Sequence, residues 1–238
     1  MKNKIIFFSI LLIVLILVII IIYGVNKYIN FRSEMDKENE LFKERVIEYI
    51  NENFTSEIEI FVVGRMLGSR VLTASVRSVD TDVYFFITEV YSLDDDYYEN
   101  YFAKLLWEKF LPYAEDIYSE WNVRGHIKVE SKTFGKNYHS TLKENADLED
   151  VKSKIQRRFY ITFYIDKELK INDDNEKIYN LLNQIKECDY IPTDVSFNFK
   201  KKGEKNGVYY FFTIKEIMGI DNIDDFNEIM QNKIDDKK

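Results

Sequence analysis

Ile5 to Val25, IIFFSILLIVLILVIIIIYGV, contains no charged residue, and only Ser9, Tyr23 and Gly24 interrupt its apolar side chains. A helix rising about 1.5 Å per residue makes this run roughly 31 Å long, the thickness of a bilayer hydrocarbon core. A cleaved secretory signal has a shorter apolar stretch, about 7–15 residues, and then a small-x-small cleavage site. Here Tyr23-Gly24-Val25-Asn26-Lys27-Tyr28 follows, with no such site, and the one cysteine, Cys188, is too distant for a lipoprotein signal. A buried core helix would be shorter and would show a polar edge. The run therefore reads as an uncleaved single-span anchor, with the lipid bilayer as the partner of residues 5–25. Lys2 and Lys4 precede it, and Lys27, Arg32, Lys37 and Lys43 follow it. That contrast is shallow, and the two lysines in a four-residue head favour a cytoplasmic N-terminus with an extracytoplasmic body.

About 210 residues follow the anchor, enough for one large or two small domains with a packed core. Against 33 Lys and Arg stand 41 Asp and Glu, a formal net charge of −8, and Lys2 and Lys4 lie ahead of the apolar run. A body that acidic repels nucleic acid and anionic lipid surfaces. The short basic runs, Lys152-Ser153-Lys154 with Arg157-Arg158 and Lys200-Lys201-Lys202, read as solvated helix ends and a hairpin flank. With one cysteine there is no intramolecular disulfide, so the core must come from apolar side chains, 18 Phe and 17 Tyr among them. Cys188 itself reads as a small buried residue at a helix end. Abundant Ile, Lys, Asn, Asp and Tyr beside two prolines is the bias of an AT-rich genome, and points to a low-GC Gram-positive bacterium.

Residues 27–38 read as a juxtamembrane stalk. Asn39 to Asn53 predicts an amphipathic helix with Phe42, Val46, Tyr49 and Ile50 on one face. Strand-like runs follow at Glu57–Val63, Val71–Val76 and Asp82–Val90, with a glycine-bearing turn at Gly64–Ser69. That turn lacks the lysine and hydroxyl of a phosphate-binding loop. Asp94-Asp95-Asp96 is expected to cap the next helix, since the rest of a calcium loop is missing. That helix carries Tyr98, Tyr101, Phe102, Leu105 and Leu106 inward, is kinked or divided at Pro112, and continues its face through Ile117, Tyr118 and Trp121. Further strands are expected at Gly125–Thr133, Arg158–Ile165, Val195–Lys200 and Val208–Ile214, the last two as a hairpin around Gly203–Gly207. Phe134–Asp150 reads as a loop with a short helix. Asn172-Asp173-Asp174 caps a helix with Ile178, Leu181, Leu182 and Ile185 inward, and Asp221–Ile234 closes the chain with Ile223, Phe226 and Met230 on its apolar side.

The order helix, strands, acidic cap, helix occurs twice: Val83–Glu89 with Asp94–Asn100 parallels Val208–Ile214 with Asp224–Glu228. The expected fold class is therefore α+β, a transmembrane helix followed by two helix–antiparallel-sheet–helix units that suggest an internal duplication. The boundaries are 1–26 for the head and anchor, 27–38 for the stalk, 39–133 for the first unit, 134–153 for a polar connection and 154–238 for the second unit. A Lys-led span, an amphipathic helix ending in EYINENF, a strand meander and the helix DDDYYENYFAKLLWEKF together resemble the YfjL-like group of anchored Gram-positive bacterial proteins. The resemblance covers most of the body in outline. It implies a membrane-anchored extracytoplasmic α+β protein, and brings no reaction and no catalytic residues.

Chemistry-bearing residues are sparse. His126 sits on a predicted strand and His139 in the polar stretch KNYHST, with no H-E-x-x-H or H-x-H pattern. His139 with Ser140 and a distant carboxylate could be drawn as a triad, but no nucleophile elbow accompanies them, and Cys188 with His139 has no better support. No catalytic, cofactor-binding or metal residue is assigned. Contiguous aromatics at Tyr84–Phe86 and Tyr209–Phe212 require some rings to face outward unless both sheet faces are covered. The chain thus reads as a membrane-anchored extracytoplasmic interaction module without catalysis, binding an envelope protein or polymer through a sheet face. The alternative is an immunity-type or stress-response protein that neutralises a cationic peptide or toxin through its acidic body. An unrecognised hydrolase is the third reading.

Overall fold

In the computed structural model the described residues are 2–65, 71–90, 92–119, 123–130, 138–154, 158–200, 203 and 207–235; for 2–16, 130, 153–154, 171–172 and 235 only the backbone is described. The fold is α+β, with two four-stranded sheets and six α-helices among the described residues. Helix α1 (Lys2–Asn53) is continuous, about 78 Å long at 1.5 Å per residue, so the expected stalk is helical throughout. Among the described residues no helix is long and apolar enough to cross a membrane. Of the Ile5–Val25 run, side chains are described from Leu17 onward.

The first sheet is an antiparallel meander of β1 (Ile58–Arg65), β2 (Leu72–Ser78), β3 (Val83–Glu89) and β4 (Leu93–Asp95), in that spatial order. Strand alternation puts Ala74, Val76, Val83, Phe85 and Ile87 on the inner face, where they meet Phe42 and Val46 of α1 in the core. A bulge between Ile60 and Val62 shifts the β1 register. β1 runs back along α1: the Glu38–Arg65 ion pair and Asn39 beside Gly64 mark one end, and the α1 C-terminus the other. β4 corrects the expectation of a helix opening at Asp94. Its three residues pair with β3, and α2 (Tyr97–Ile117) starts beyond them. α2 continues across Pro112, so the expected division of the helix there is absent. It packs one side on β3 and the other on the second sheet, through the Phe102–Phe159 and Trp107–Phe163 ring pairs.

The second sheet is ordered β5 (Val123–Glu130), β6 (Arg158–Ile165), β7 (Asp194–Phe199), β8 (Val208–Thr213). β5, which falls in the 39–133 stretch by sequence, pairs with β6. β6 and β7 are parallel, joined by α4 (Ile171–Glu187), whose Ile178, Leu181, Leu182 and Ile185 are all buried as the periodicity requires. The first sheet has no parallel pair, so the two sheets share strand number and not topology. α3 (Leu148–Lys154) lies in the connection before β6. After β8 the chain turns at once into α5 (Ile214–Gly219), where Thr213 and Glu216 form a capping box, and then α6 (Ile223–Asp235). Phe226 and Met230 of α6 are buried, with Phe226 stacked on Phe212. The tip of the Gly64–Ser69 turn, Trp121, the 131–137 part of the connection, Lys201-Lys202, and the Asn206 half of the hairpin turn lie outside the described residues.

Candidate functional site

His139 is the sequence candidate that the fold places among other polar groups. A single 3₁₀ turn, Tyr138–Ser140, follows the connection and lays His139 between the end of α1 and the start of α2. Its Nε2 lies 2.9 Å from Asp95 Oδ2, and Tyr49 of α1 donates its hydroxyl to the same oxygen at 2.6 Å. The Tyr97 amide donates to Asp95 Oδ1 at 2.9 Å, so the acid expected to cap α2 does so while also holding a tyrosine and a histidine. Phe54, Tyr98 and Tyr97 surround the imidazole, with ring centroids 4.3, 5.0 and 6.2 Å away. Both His139 and Asp95 side chains are almost wholly buried. Burial, and then the Asp95 charge, push the Tyr49 hydroxyl far above the usual tyrosine range, so it stays a donor. Burial raises Tyr97 to about 12. Asp96 accepts the Phe86 amide at 2.6 Å and also bonds the Asn100 side chain of α2; its burial lifts the carboxyl above the normal range despite those bonds.

The residues after His139 are strapped onto the same region. Tyr98 donates to the Leu142 carbonyl at 2.8 Å and Tyr97 to the Glu144 carbonyl at 2.7 Å. The Glu144 carboxylate receives the Thr55 amide, the Thr55 hydroxyl at 3.1 Å and the Ser56 amide at 3.1 Å, just past the α1 C-terminus. Burial raises Glu144, but these hydrogen bonds outweigh it and leave the carboxyl below its ordinary range. Between strap, α1 end and β2–β3 turn lies a cavity of about 510 Å³, lined mainly by polar residues such as Asn53, Thr55, Asp80, Lys143 and Asn145.

A histidine paired with a buried acid is part of a nucleophilic triad, and among the described residues neither Ser140 nor Cys188 is set to complete it. Ser140 is exposed, and Cys188 sits about three to four turns further along α2, against Tyr113 and Lys109. Burial pushes the Cys188 thiol up, the opposite of what a reactive thiolate requires. His126 is exposed on the outer face of β5, opposite Thr162. Among the described residues no group of three His, Cys, Asp or Glu could hold a metal ion. Neither Asp95 nor Tyr49 stands out in the sequence as a partner of His139. The first reads as a helix cap and the second as one more apolar position of an amphipathic face.

The other site candidate is a surface. On β3 Phe85 is buried, while Tyr84 (58% exposed) and Phe86 face out; on β8 Tyr210 and Phe212 are buried, while Tyr209 and Phe211 face out. The bulge turns Phe61 (51% exposed) outward beside Val62, and its ring stacks on Tyr84 at 5.8 Å. Arg77 lies over Tyr84, with its guanidinium tied to Asp82 and Glu59. Phe61, Val62, Tyr84 and Phe86 thus form an uncovered apolar patch across β1 and β3, with Ser75 and Arg77 of β2 between them. No family model, no curated protein and no solved structure matches the chain.

Proposed function

We propose that the chain is a single-pass membrane-anchored binding module without catalysis. Ile5–Val25 holds it in the cell membrane, and the two-sheet body stands on the extracytoplasmic side, where it engages an envelope protein or polymer. The anchor is supported by Leu17 to Ile22, six consecutive apolar residues each 46–62% exposed, which means every face of the helix is uncovered. A coiled-coil partner covers one stripe of a helix; lipid covers all of it.

The observation that carries the binding role is the patch of Phe61, Val62, Tyr84 and Phe86. Aromatic side chains uncovered on a sheet face are enriched at interfaces, and single scattered apolar residues are not what is seen here. A photo-crosslinking residue in place of Tyr84, in intact cells, tests it. The expected adduct persists at high salt and is lost in Phe61→Ser/Phe86→Ser, while the thermal midpoint is unchanged. An adduct that disappears with salt instead indicates charge-driven neutralisation of a cationic peptide. Failure to form any adduct refutes the patch as the binding surface. Protease digestion of intact protoplasts, following a tag after Lys238, tests the side: loss of the tag is expected, and protection until lysis overturns the extracytoplasmic placement.

A further inference from the structure

We infer that Tyr23–Arg32 of α1 forms a collar that binds the headgroups of anionic phospholipids. This rests on the anchored reading and adds to it where the membrane ends and which lipid is preferred there. Beyond Val25 the helix climbs about 10 Å to Arg32, which carries it through the polar layer, roughly 5–8 Å deep on each side of the hydrocarbon. The side chains at this level are those of a membrane interface: Tyr23, Tyr28 and Phe31 with Lys27 and Arg32, and no acid. Spacing of four places Lys27 beside Phe31, and Tyr28 beside Arg32, on the helix surface.

Among the described residues this segment is bare: Tyr28 is 62% and Phe31 59% exposed, and the ion pair to the first sheet, Glu38–Arg65, lies further along the helix. Charge changes sign at the same place, for Glu34, Asp36, Glu38 and Glu40 follow Arg32 with only Lys37 among them. Lipid phosphate satisfies both the guanidinium fork of Arg32 and the Lys27 ammonium. Glu38 lies about 9 Å beyond Arg32, close to the roughly 8 Å screening length at physiological ionic strength. The collar therefore meets an anionic surface ahead of the acids: Glu34 and Asp36 lie about 3 and 6 Å beyond Arg32, and the body, from Glu38 on, about one screening length away.

The test is cysteine accessibility in the full chain, in Cys188→Ser, reconstituted into phosphatidylcholine vesicles with or without phosphatidylglycerol. Tyr28→Cys, Phe31→Cys and Glu40→Cys are each treated with a membrane-impermeant maleimide. Positions 28 and 31 are expected to react at least about tenfold more slowly than 40. Phosphatidylglycerol should slow them further, and Lys27→Gln/Arg32→Gln should remove that extra protection, since each cation adds roughly fivefold to affinity for an anionic surface. Fast labelling at 28 and 31 in protein that still resists alkaline carbonate extraction overturns the collar and leaves the anchor standing. Slow labelling indifferent to phosphatidylglycerol overturns the preference for anionic headgroups. Protein stripped from the vesicles by carbonate overturns the anchor itself.

Discussion

Asp174 is fully buried in the first turns of α4, with one carboxylate oxygen on the Lys167 ammonium and the other accepting the Lys170 amide at 2.6 Å. Lys167 is 7% exposed and lies over the Tyr118 ring. Asp174→Leu withdraws the carboxylate from a buried ammonium, which costs about 3–5 kcal/mol, and leaves the Lys170 amide without its acceptor, about 1 kcal/mol more. For a chain of this size each kcal/mol lowers the melting temperature by roughly 2–4 °C, so a drop of about 10–20 °C is expected. Lys167→Met should also be costly, because it leaves a buried carboxylate with one amide. The double variant removes both charges into apolar surroundings and should recover most of the loss, giving a coupling of at least about 2 kcal/mol. The measurement is near-ultraviolet circular dichroism of the full chain in detergent during thermal unfolding. A loss below about 1 kcal/mol for Asp174→Leu, or a double variant as unstable as the sum of the singles, would refute the pair as a buried clasp.

Glu144 carries a depressed carboxyl, so its contribution to stability is complete above the ordinary carboxylate range and fades as pH falls through its lowered value. Glu144→Gln should be destabilised at neutral pH, and the gap to the parent should close below about pH 4; parallel unfolding curves from pH 7 to 3 would count against this. At Gly125 a Cβ would come within 1.8 Å of the Trp107 ring, so Gly125→Ala is expected to cost about 1–3 kcal/mol in thermal unfolding, against near-neutrality if the indole swings aside freely. The buried Tyr118 hydroxyl has no hydrogen-bond partner among the described residues, so Tyr118→Phe should be neutral or raise the melting temperature slightly. A fall of more than about 1 kcal/mol would show that this hydroxyl is satisfied in solution.

Periodicity made most of the core legible. Phe42 and Val46, the Ile178–Ile185 face, and Phe226 with Met230 all turn inward where the 3.6-residue repeat puts them, because burial of those stripes is what forms the helices. The contiguous aromatics at Tyr84–Phe86 and Tyr209–Phe212 left open whether both sheet faces were covered; the structure buries Phe85, Tyr210 and Phe212 and leaves Tyr84, Phe86, Tyr209 and Phe211 outward, and which residues meet across the fold was not readable either. The His139–Asp95–Tyr49 cluster joins positions 44 and 46 residues apart in sequence, and each member has an ordinary local reading. Asp94–Asp96 misled for a related reason. Acids before an amphipathic run signal a cap, and Asp95 does accept a helix amide, yet the same residues also complete a ladder with β3 that no local propensity announces. The parallel β6–β7 pair was likewise hidden, since a strand looks the same whichever direction its neighbour runs.

The continuity of α1 connects these pieces to the proposed role. Its last turns are fixed to the body by the bidentate Arg45–Glu89 pair, by Tyr49 on Asp95, and by Glu144 on the two amides that follow the helix end. No loop intervenes between this clasped end and Val25, so a helix standing in a bilayer fixes the attitude of the first sheet as well as its distance. Glu38, where contact with β1 begins, is about 20 Å beyond Val25, and Asn53 about 22 Å further. Because β1 runs back along this stretch, the outer face bearing Phe61, Tyr84 and Phe86 looks sideways from the helix, and if α1 stands in a bilayer as proposed, that face looks along the membrane plane and not toward it. On the proposed anchoring, a partner that meets this face would reach roughly 20–40 Å above the hydrocarbon. That geometry suits an envelope component standing beside the protein better than one lying in the lipid.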